Sequence, residues 1–175
     1  MKTIVFGLLF LGITNLTKAQ NEIAYVNLNA TSIIEKPMKT MSNLNYLHSM
    51  ELNVISNRVR ALQTVVANFD IQKEVVYTKT SSATYDVVFR EGKNAINAVF
   101  DSKGNIIQSD ENYESVNVPY FLSKKILKEY PGWGYKQVWL SISYNQKFAT
   151  TIQYKVVLKN GNKEKTISFN ASDFI

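Results

Sequence analysis

Several residue types on which protein chemistry often depends are absent or scarce in this chain of 175 residues. It has no cysteine, which excludes disulfides, thiolate chemistry and a lipid anchor on cysteine. It has one histidine, His48, and no G-x-S-x-G nucleophile motif with which that histidine could form a catalytic triad. We therefore expect no catalytic residue, no metal site and no cofactor, and interpret His48 as a surface or packing residue.

Concentrated charge is also missing. Charged residues make up 19% of the chain and hydrophobic residues 45%, which is typical of a globular protein rather than a disordered one. The formal net charge is +6, but the lysines are scattered and no run of five like charges occurs. The pattern predicts no nucleic-acid-binding arm, and the absence of glycine-rich phosphate-binding motifs disfavours a nucleotide-dependent enzyme.

The first 19 residues have the pattern of a signal peptide. Lys2 supplies the positive start, Ile4 to Ile13 form an apolar stretch, and Thr17-Lys18-Ala19 is a small-x-small cleavage site. The apolar stretch is shorter than the roughly 20 residues that a membrane-spanning helix needs. We therefore expect an exported bacterial protein, periplasmic or extracellular, without a membrane span. The alternative interpretation is a buried N-terminal strand.

An internal repeat organises the rest of the chain. Residues 85–100 (YDVVFREGKNAINAVF) align without a gap on residues 154–169 (YKVVLKNGNKEKTISF), at an offset of 69 (154 − 85). The identical pairs are Tyr85 and Tyr154, Val87 and Val156, Val88 and Val157, Gly92 and Gly161, and Phe100 and Phe169. About one identity is expected by chance, so the match indicates a repeat. Alternating apolar residues around Asn160-Gly161 predict a β-hairpin, and the repeat predicts a second.

Each hairpin is preceded by an amphipathic helical pattern. Apolar residues recur at helical spacing from Val59 to Phe69 and from Val118 to Tyr130. Further strands are predicted at Glu74–Lys79, Ile106–Ser109 and Tyr135–Tyr144. The polar segment Asp110–Asn117, with the carboxylates of Asp110, Glu111 and Glu114, is interpreted as a solvated linker. The alternative is a paired-carboxylate or weak calcium site.

This order of elements predicts an α+β fold in which two helix-plus-antiparallel-strand repeats form one continuous antiparallel sheet with the helices on one face. Repeat 1 covers residues 56–115, and repeat 2 covers residues 116–175 with its fourth strand truncated. Residues 1–19 are the predicted signal peptide. Residues 20–55 form an N-terminal segment with a short strand that starts near Ile23 and a helix indicated by Met38, Met41, Leu44 and Leu47.

The order of these motifs resembles that of PepSY-like secreted bacterial proteins, whose tandem form shares the fold of the β-lactamase-inhibitor protein. The resemblance covers about residues 56–175. It rests on a helix ending in Tyr130-Pro131-Gly132-Trp133, an aromatic-bearing strand, and the Tyr-x-Val-x-Leu strand with its Asn-Gly turn. It implies a concave antiparallel sheet backed by helices, and protein binding or peptidase inhibition rather than catalysis. The inhibitor protein has disulfides and this chain has none. No enzyme-contacting residue carries over, so inhibition of a β-lactamase is not implied.

The candidate binding surface is the sheet face that points away from the helices, which we call the open face. In Tyr135–Tyr144 the more apolar alternate set, which includes Val138, should face the helices. The residues predicted on the open face are Tyr135, Trp139, Lys155, Val157 and Lys159. Aromatic, aliphatic and cationic side chains together are typical of binding hot spots.

These residues favour a non-enzymatic binding module whose partner is another exported protein, for example a peptidase that the chain inhibits or escorts. Two alternatives remain open at this point. One is capture of a small ligand or lipid between sheet and helices, suggested by the 12% aromatic content. The other is an enzyme with an unfamiliar site built on His48 and carboxylates.

Overall fold

A computed structural model describes residues 23–28, 43–50, 55–79 and 81–174. Within these ranges seven strands form one sheet, in the order β1-β2-β3-β4-β5-β6-β7. The strands are β1 (Ile23–Asn27), β2 (Thr84–Glu91), β3 (Asn94–Asp101), β4 (Ile106–Glu114), β5 (Gly134–Asn145), β6 (Phe148–Asn160) and β7 (Lys163–Asn170). The helices are α1 (Leu44–His48), α2 (Asn57–Ala67) and α3 (Tyr120–Glu129). The predicted signal peptide, Met38 and Met41 lie outside the described residues.

The α+β prediction is confirmed, but the sheet is mixed rather than wholly antiparallel. β1 pairs with β2 in parallel, from Ile23 beside Asp86 to Asn27 beside Arg90. The other neighbouring strands pair antiparallel. A parallel pair needs a long connection, and more than 50 residues (84 − 27 = 57) separate the end of β1 from the start of β2. The predicted continuous antiparallel sheet is therefore wrong at β1.

The two hairpins that the repeat predicts are present, and their registers are equivalent. Tyr85 pairs with Phe100 in the β2–β3 hairpin. Tyr154 pairs with Phe169 in the β6–β7 hairpin. Both partners of the second pair lie 69 positions after those of the first. The sequence match between the hairpins therefore corresponds to the same pairing of backbones.

Both hairpins close through two-residue turns that begin with glycine. Gly92 has φ 59° and Gly161 has φ 56°, a backbone conformation that glycine adopts without the penalty of a Cβ atom. Asn160 pairs with Lys163, so the second turn consists of Gly161 and Asn162. It lies one residue later than the predicted Asn160-Gly161 turn. Glycine at the first central position is the preference of a type II′ turn rather than a type I′ turn.

Residues 74–79 do not form the predicted strand. A 3₁₀ turn at Ile71–Lys73 precedes them. Hydrogen bonds of two tyrosine hydroxyls then fix the position of the segment. Tyr77 donates its hydroxyl to the Ser102 carbonyl at 3.0 Å. The hydroxyl of Tyr85 accepts from the Thr78 N–H at 3.0 Å and donates to the Thr78 carbonyl at 2.7 Å. These backbone groups are satisfied without a sheet partner, and β1 occupies the position beside β2.

The segment interpreted as a linker belongs instead to the centre of the sheet. β4 continues to Glu114 and pairs with both β3 and β5, which joins the two halves of the chain in one sheet. Glu111 is buried on the helix side of β4, whereas its neighbours Asp110 and Asn112 are exposed on the open face. A polar strand fits this position because one face of an antiparallel sheet can be solvated.

The helices cover one face of the sheet. Ser56 caps α2 by accepting from the Val59 N–H at 3.5 Å, and α2 buries Val59, Leu62 and Val66 of the predicted apolar stripe. α3 buries Leu122 and Ile126. In α1 the buried residue is Tyr46, while Leu44 is 42% exposed, so the predicted stripe through Leu44 is wrong. In the ranges that the structure covers, no helix has the length and apolar character needed to cross a membrane.

Candidate functional site

Four of the five residues predicted on the open face lie on it. Trp139 on β5 pairs with Lys155 on β6, and Val157 and Lys159 follow on the same side of β6. The intervening residues Val156 and Leu158 are fully buried on the helix side. The alternation of apolar residues therefore assigned the two faces of β6 correctly.

Tyr135 is the exception, because β5 contains a β-bulge. Tyr135 pairs with Leu158 and Gln137 pairs with Val157, so Lys136 is an extra residue between them. An extra residue shifts the alternation of side chains by one position, which places Tyr135 on the helix side together with Leu158. Its hydroxyl lies 3.0 Å from Ser123 Oγ on α3. The predicted position of Tyr135 on the open face is wrong.

Trp139 is half-buried on the open face by its neighbours within the sheet. It lies between Glu114 on β4 and Lys155 on β6. The Lys155 Nζ atom lies 5.6 Å from the centroid of the indole ring, a cation–π contact. Such a contact at an exposed position stabilises by about 0.5–1 kcal/mol. An incoming group can therefore replace the ammonium on the ring at small cost.

The bulge also places charge on this surface. Lys136 Nζ binds Glu164 Oε1 on β7 at 2.6 Å, and Lys93 Nζ lies 3.4 Å from Glu114 Oε2. Among the described residues, Lys155 forms no ion pair. The end of the open face around Trp139 therefore combines an aromatic ring, paired charges and a cation. Lys136 and Glu164 were not predicted on this surface, because the bulge that brings them together depends on strand pairing.

A shallow polar hollow adjoins Trp139 on the open face. It has a volume of about 190 Å³, and its lining includes Asp110 and Asn112 on β4 and Ser141 and Ser143 on β5. Ser143 donates to Asp110 Oδ1 at 3.0 Å, and Ser141 donates to Asn112 Oδ1 at 3.1 Å. These cross-strand bonds do not use the amide N–H groups of Asn112, and the four side chains are exposed to solvent.

A second polar cluster lies on the opposite side of the sheet, around Glu111. This carboxylate is 1% exposed and accepts four hydrogen bonds. Tyr46 of α1 and Ser109 donate to Oε1 at 2.6 and 3.1 Å. Tyr113 and Gln63 of α2 donate to Oε2 at 2.6 and 2.8 Å. All four donors are neutral, so the cluster fastens α1 and α2 to β4 through one buried carboxyl group.

Burial governs the protonation of this cluster. It raises the pKa of Glu111, and the hydrogen bonds from Tyr113, Tyr46, Gln63 and Ser109 oppose that rise. Burial and the nearby Glu111 charge raise the pKa of both tyrosines well above the ordinary range. Because the carboxyl group is enclosed and its oxygens are occupied, it has no access to a substrate. We therefore assign the cluster to the stability of the fold rather than to a reaction.

His48 ends α1 on the helix side of the sheet. Nowhere in the described ranges do three or more histidine, aspartate or glutamate side chains come close enough to hold a metal ion. The paired-carboxylate or calcium site considered from the sequence would require Asp110, Glu111 and Glu114 to lie together, but they lie on opposite faces of the sheet. Glu111 points to the helices, and Asp110 and Glu114 to the open face.

Comparison with known proteins does not identify the chain. No protein-family model, curated protein or solved structure matches it. The resemblance to PepSY-like proteins thus stays a prediction from the order of motifs. The function has to be inferred from the surface itself.

Proposed function

We propose that this chain is an exported, non-enzymatic binding module of the PepSY-like kind that contacts another exported protein through the open face. A peptidase that it inhibits or escorts is the partner class that we favour. The observation that carries the proposal is the half-buried indole of Trp139, which lies under a weakly held Lys155 on a sheet face that none of the described helices covers.

The composition of this surface supports a protein partner. Trp139 and Val157 supply apolar area at the centre, and Lys155, Lys159 and the pair Lys136–Glu164 surround it. Hot spots in protein interfaces combine a buried aromatic anchor with a polar rim in this way. A partner carboxylate that drew Lys155 away from the indole would expose the ring for packing.

The equivalent registers of the two hairpins support the proposed tandem organisation. Each hairpin is preceded by a helix, α2 or α3, on the same face of the sheet. In this proposal the two repeats build one wide sheet, whose helices stabilise it from behind. The open face is then available to the partner across several strands.

The test is affinity capture from periplasm or culture medium with the mature protein immobilised. Wild type should retain an exported protein that mass spectrometry identifies, and Trp139→Ala should lose most of it, because the central aromatic anchor is gone. Lys155→Glu should also reduce retention, because it reverses the charge over the ring.

Phe148→Ala is the matched control. Phe148 is 74% exposed at the turn between β5 and β6, away from Trp139. This variant loses a comparable aromatic group and should retain the partner. All variants should first show the same urea midpoint within error. Equal recovery of every protein by wild type and Trp139→Ala would contradict the proposal.

A further inference from the structure

The outer edge of β7 carries backbone groups without a sheet partner among the described residues. β7 is the last strand in the sheet order and pairs there with β6 alone. Asn160 and Lys163 close a two-residue turn, so they exchange hydrogen bonds, and so does every second pair along the hairpin. The N–H and C=O groups of Glu164, Thr166 and Ser168 consequently point away from β6.

The next residue along the edge supports this assignment of directions. Asn170 belongs to the same alternate set as Ser168, and its N–H donates to Asp173 Oδ2 at 3.3 Å. Asp173 lies in the 3₁₀ turn Ala171–Phe174 that follows β7. This hydrogen bond satisfies the outward N–H at the end of the edge. The three residues before it, Glu164, Thr166 and Ser168, have no such bond among the described residues.

The first hairpin shows what the corresponding edge binds. The residues that lie 69 positions before Glu164, Thr166 and Ser168 are Ala95, Asn97 and Val99 of β3. They pair with Asn112, Asp110 and Gln108 of β4, respectively. The same hairpin geometry therefore receives an antiparallel strand in the first half of the molecule. Among the described residues, no strand pairs with the outer edge of β7.

The side chains along this edge divide it into a cationic and an apolar part. On the helix side Lys165 lies with its Nζ 4.6 Å from the ring centroid of Tyr130. Ile167 and Phe169 follow on that side and are half-buried against the core. Lys125 of α3 lies 5.4 Å above the Phe169 ring. A strand that enters here meets Lys165 at one end, and at the other end an apolar surface that has Lys125 beside it.

We propose that the β7 edge is a strand-addition site for an extended, acidic segment of another protein, which runs antiparallel to β7. Its backbone bonds Glu164, Thr166 and Ser168, which gives affinity, and its alternate side chains give specificity. A carboxylate lies opposite Lys165, and an apolar residue lies opposite Phe169. The edge shares Glu164 with the rim of the open face but uses its backbone rather than its side chain, and Trp139 takes no part in it, so the two proposals can fail independently.

β4 itself has the pattern that this edge requires. It places Glu111 beside Ile96 and Ile106 beside Phe100. The residues that correspond to Ile96 and Phe100 in β7 are Lys165 and Phe169. A second copy of this chain fits less well: its own edge strand carries two lysines and one glutamate, and lysines on an edge strand oppose self-pairing.

The test uses a fluorescein-labelled peptide of residues 104–116 (GNIIQSDENYESV), titrated with the mature protein and followed by anisotropy. Wild type should bind it saturably. Thr166→Pro should weaken binding at least tenfold, because proline removes the outward N–H but no bond to β6. Thr166→Ala, which keeps the N–H, should bind within twofold of wild type. Equal urea midpoints of the two variants show that the fold is unchanged.

Charge is tested in both partners. A peptide in which the residues equivalent to Asp110, Glu111 and Glu114 are lysine should bind wild type at least tenfold more weakly. Lys165→Glu should narrow or reverse that preference. Absence of binding at millimolar peptide, equal binding by Thr166→Pro, or indifference to charge reversal would overturn the proposal. A further outcome would also overturn the proposal: wild type self-associates in sedimentation experiments and Thr166→Pro does not. The occupant of the edge would then be a second copy of this chain rather than an acidic segment.

Discussion

The two hairpins of this protein have the same register and the same leading glycine in the turn, yet their positions in the sheet differ. The β2–β3 hairpin is enclosed by β1 on one side and β4 on the other. The β6–β7 hairpin has β5 on one side, and its other side is the last edge of the described sheet. One local structure thus serves as an interior element in the first half and as a boundary in the second, and only its neighbours decide which.

The helix side of the sheet differs between the halves as well. In the first half β4 directs Ser109, Glu111 and Tyr113 at α1 and α2. In the second half β5 and β6 bury aliphatic residues such as Leu140 and Val156 on the helix side of the sheet. The first half therefore contains a buried polar network around Glu111, whereas the buried side chains of β5 and β6 are mostly hydrophobic. Three measurements test these differences between the two halves.

The largest effect is expected for Tyr113→Phe. The substitution keeps the buried ring but removes one 2.6 Å donor from the Glu111 carboxylate. Hydrogen bonds to charged groups contribute about 1.5–3 kcal/mol, so at a pH where Glu111 is ionised the free energy of unfolding in urea should fall by that amount.

Tyr144→Phe is the matched control for that measurement. Tyr144 lies on β5, and its ring packs edge-on against Tyr46 with centroids 5.3 Å apart. Its hydroxyl is not among the groups bonded to Glu111, so the loss should stay below about 1 kcal/mol. Equal losses in the two variants would show that the cluster contributes no more than an ordinary buried hydroxyl.

A smaller effect tests whether the hairpins are equivalent. Gly92→Ala and Gly161→Ala should each lower the free energy of unfolding by about 1–2 kcal/mol, because an L-residue is strained at positive φ. An added Cβ meets nothing within 4 Å at either position, so only the backbone is tested. Gly134→Ala, which lacks a positive φ, should cost less. A large difference between Gly92→Ala and Gly161→Ala would mean that the flanking strands alter the turns.

The smallest effect is the pH dependence that Glu111 produces. Burial raises its folded-state pKa above the unfolded value of 4.5, so between the two values the folded state keeps a proton that the unfolded state has released. This contribution to stability is complete below pH 4.5 and is lost as the pH rises through the folded pKa. Urea midpoints from pH 4 to 8 should show this decline in wild type, and Glu111→Gln should lack it. A decline of equal slope in Glu111→Gln would assign it to other groups.

Local patterns were sufficient to predict the hairpins and both longer helices. Glycine in a turn, alternation in a strand and a capped apolar stripe each act over a few residues. The position of Tyr135 was not predictable in this way, because the bulge at Lys136 exists only through pairing with β6. The burial of Glu111 depends on donors 65 and 48 residues away, Tyr46 and Gln63. Ser109, Glu111 and Tyr113 occupy every second position of β4. This alternation was the one local indication that Glu111 lies in a strand and on its buried face.

The candidate site shows the same division. Alternation placed Trp139, Lys155, Val157 and Lys159 on one face, since the period of two holds within regular strands. The strand predicted at 74–79 is absent because the Tyr85 hydroxyl bonds the backbone N–H and C=O of Thr78, and β1 occupies the position beside β2. The parallel pairing of β1 with β2 could not be predicted either, because no local sequence pattern determines the path of a long connection.

The parallel strand β1 has a consequence for the order of folding. From β2 to β7 each strand pairs with its neighbour in the chain, so those contacts close short loops. β1 pairs with β2 across 63 positions (86 − 23), which is the costliest loop closure in the described sheet. During synthesis β1 emerges first, yet its partner is complete only when Glu91 has been added. We expect β1 to dock last and to be the first strand to detach, so that the amide protons of the β1–β2 pair exchange before those of the meander.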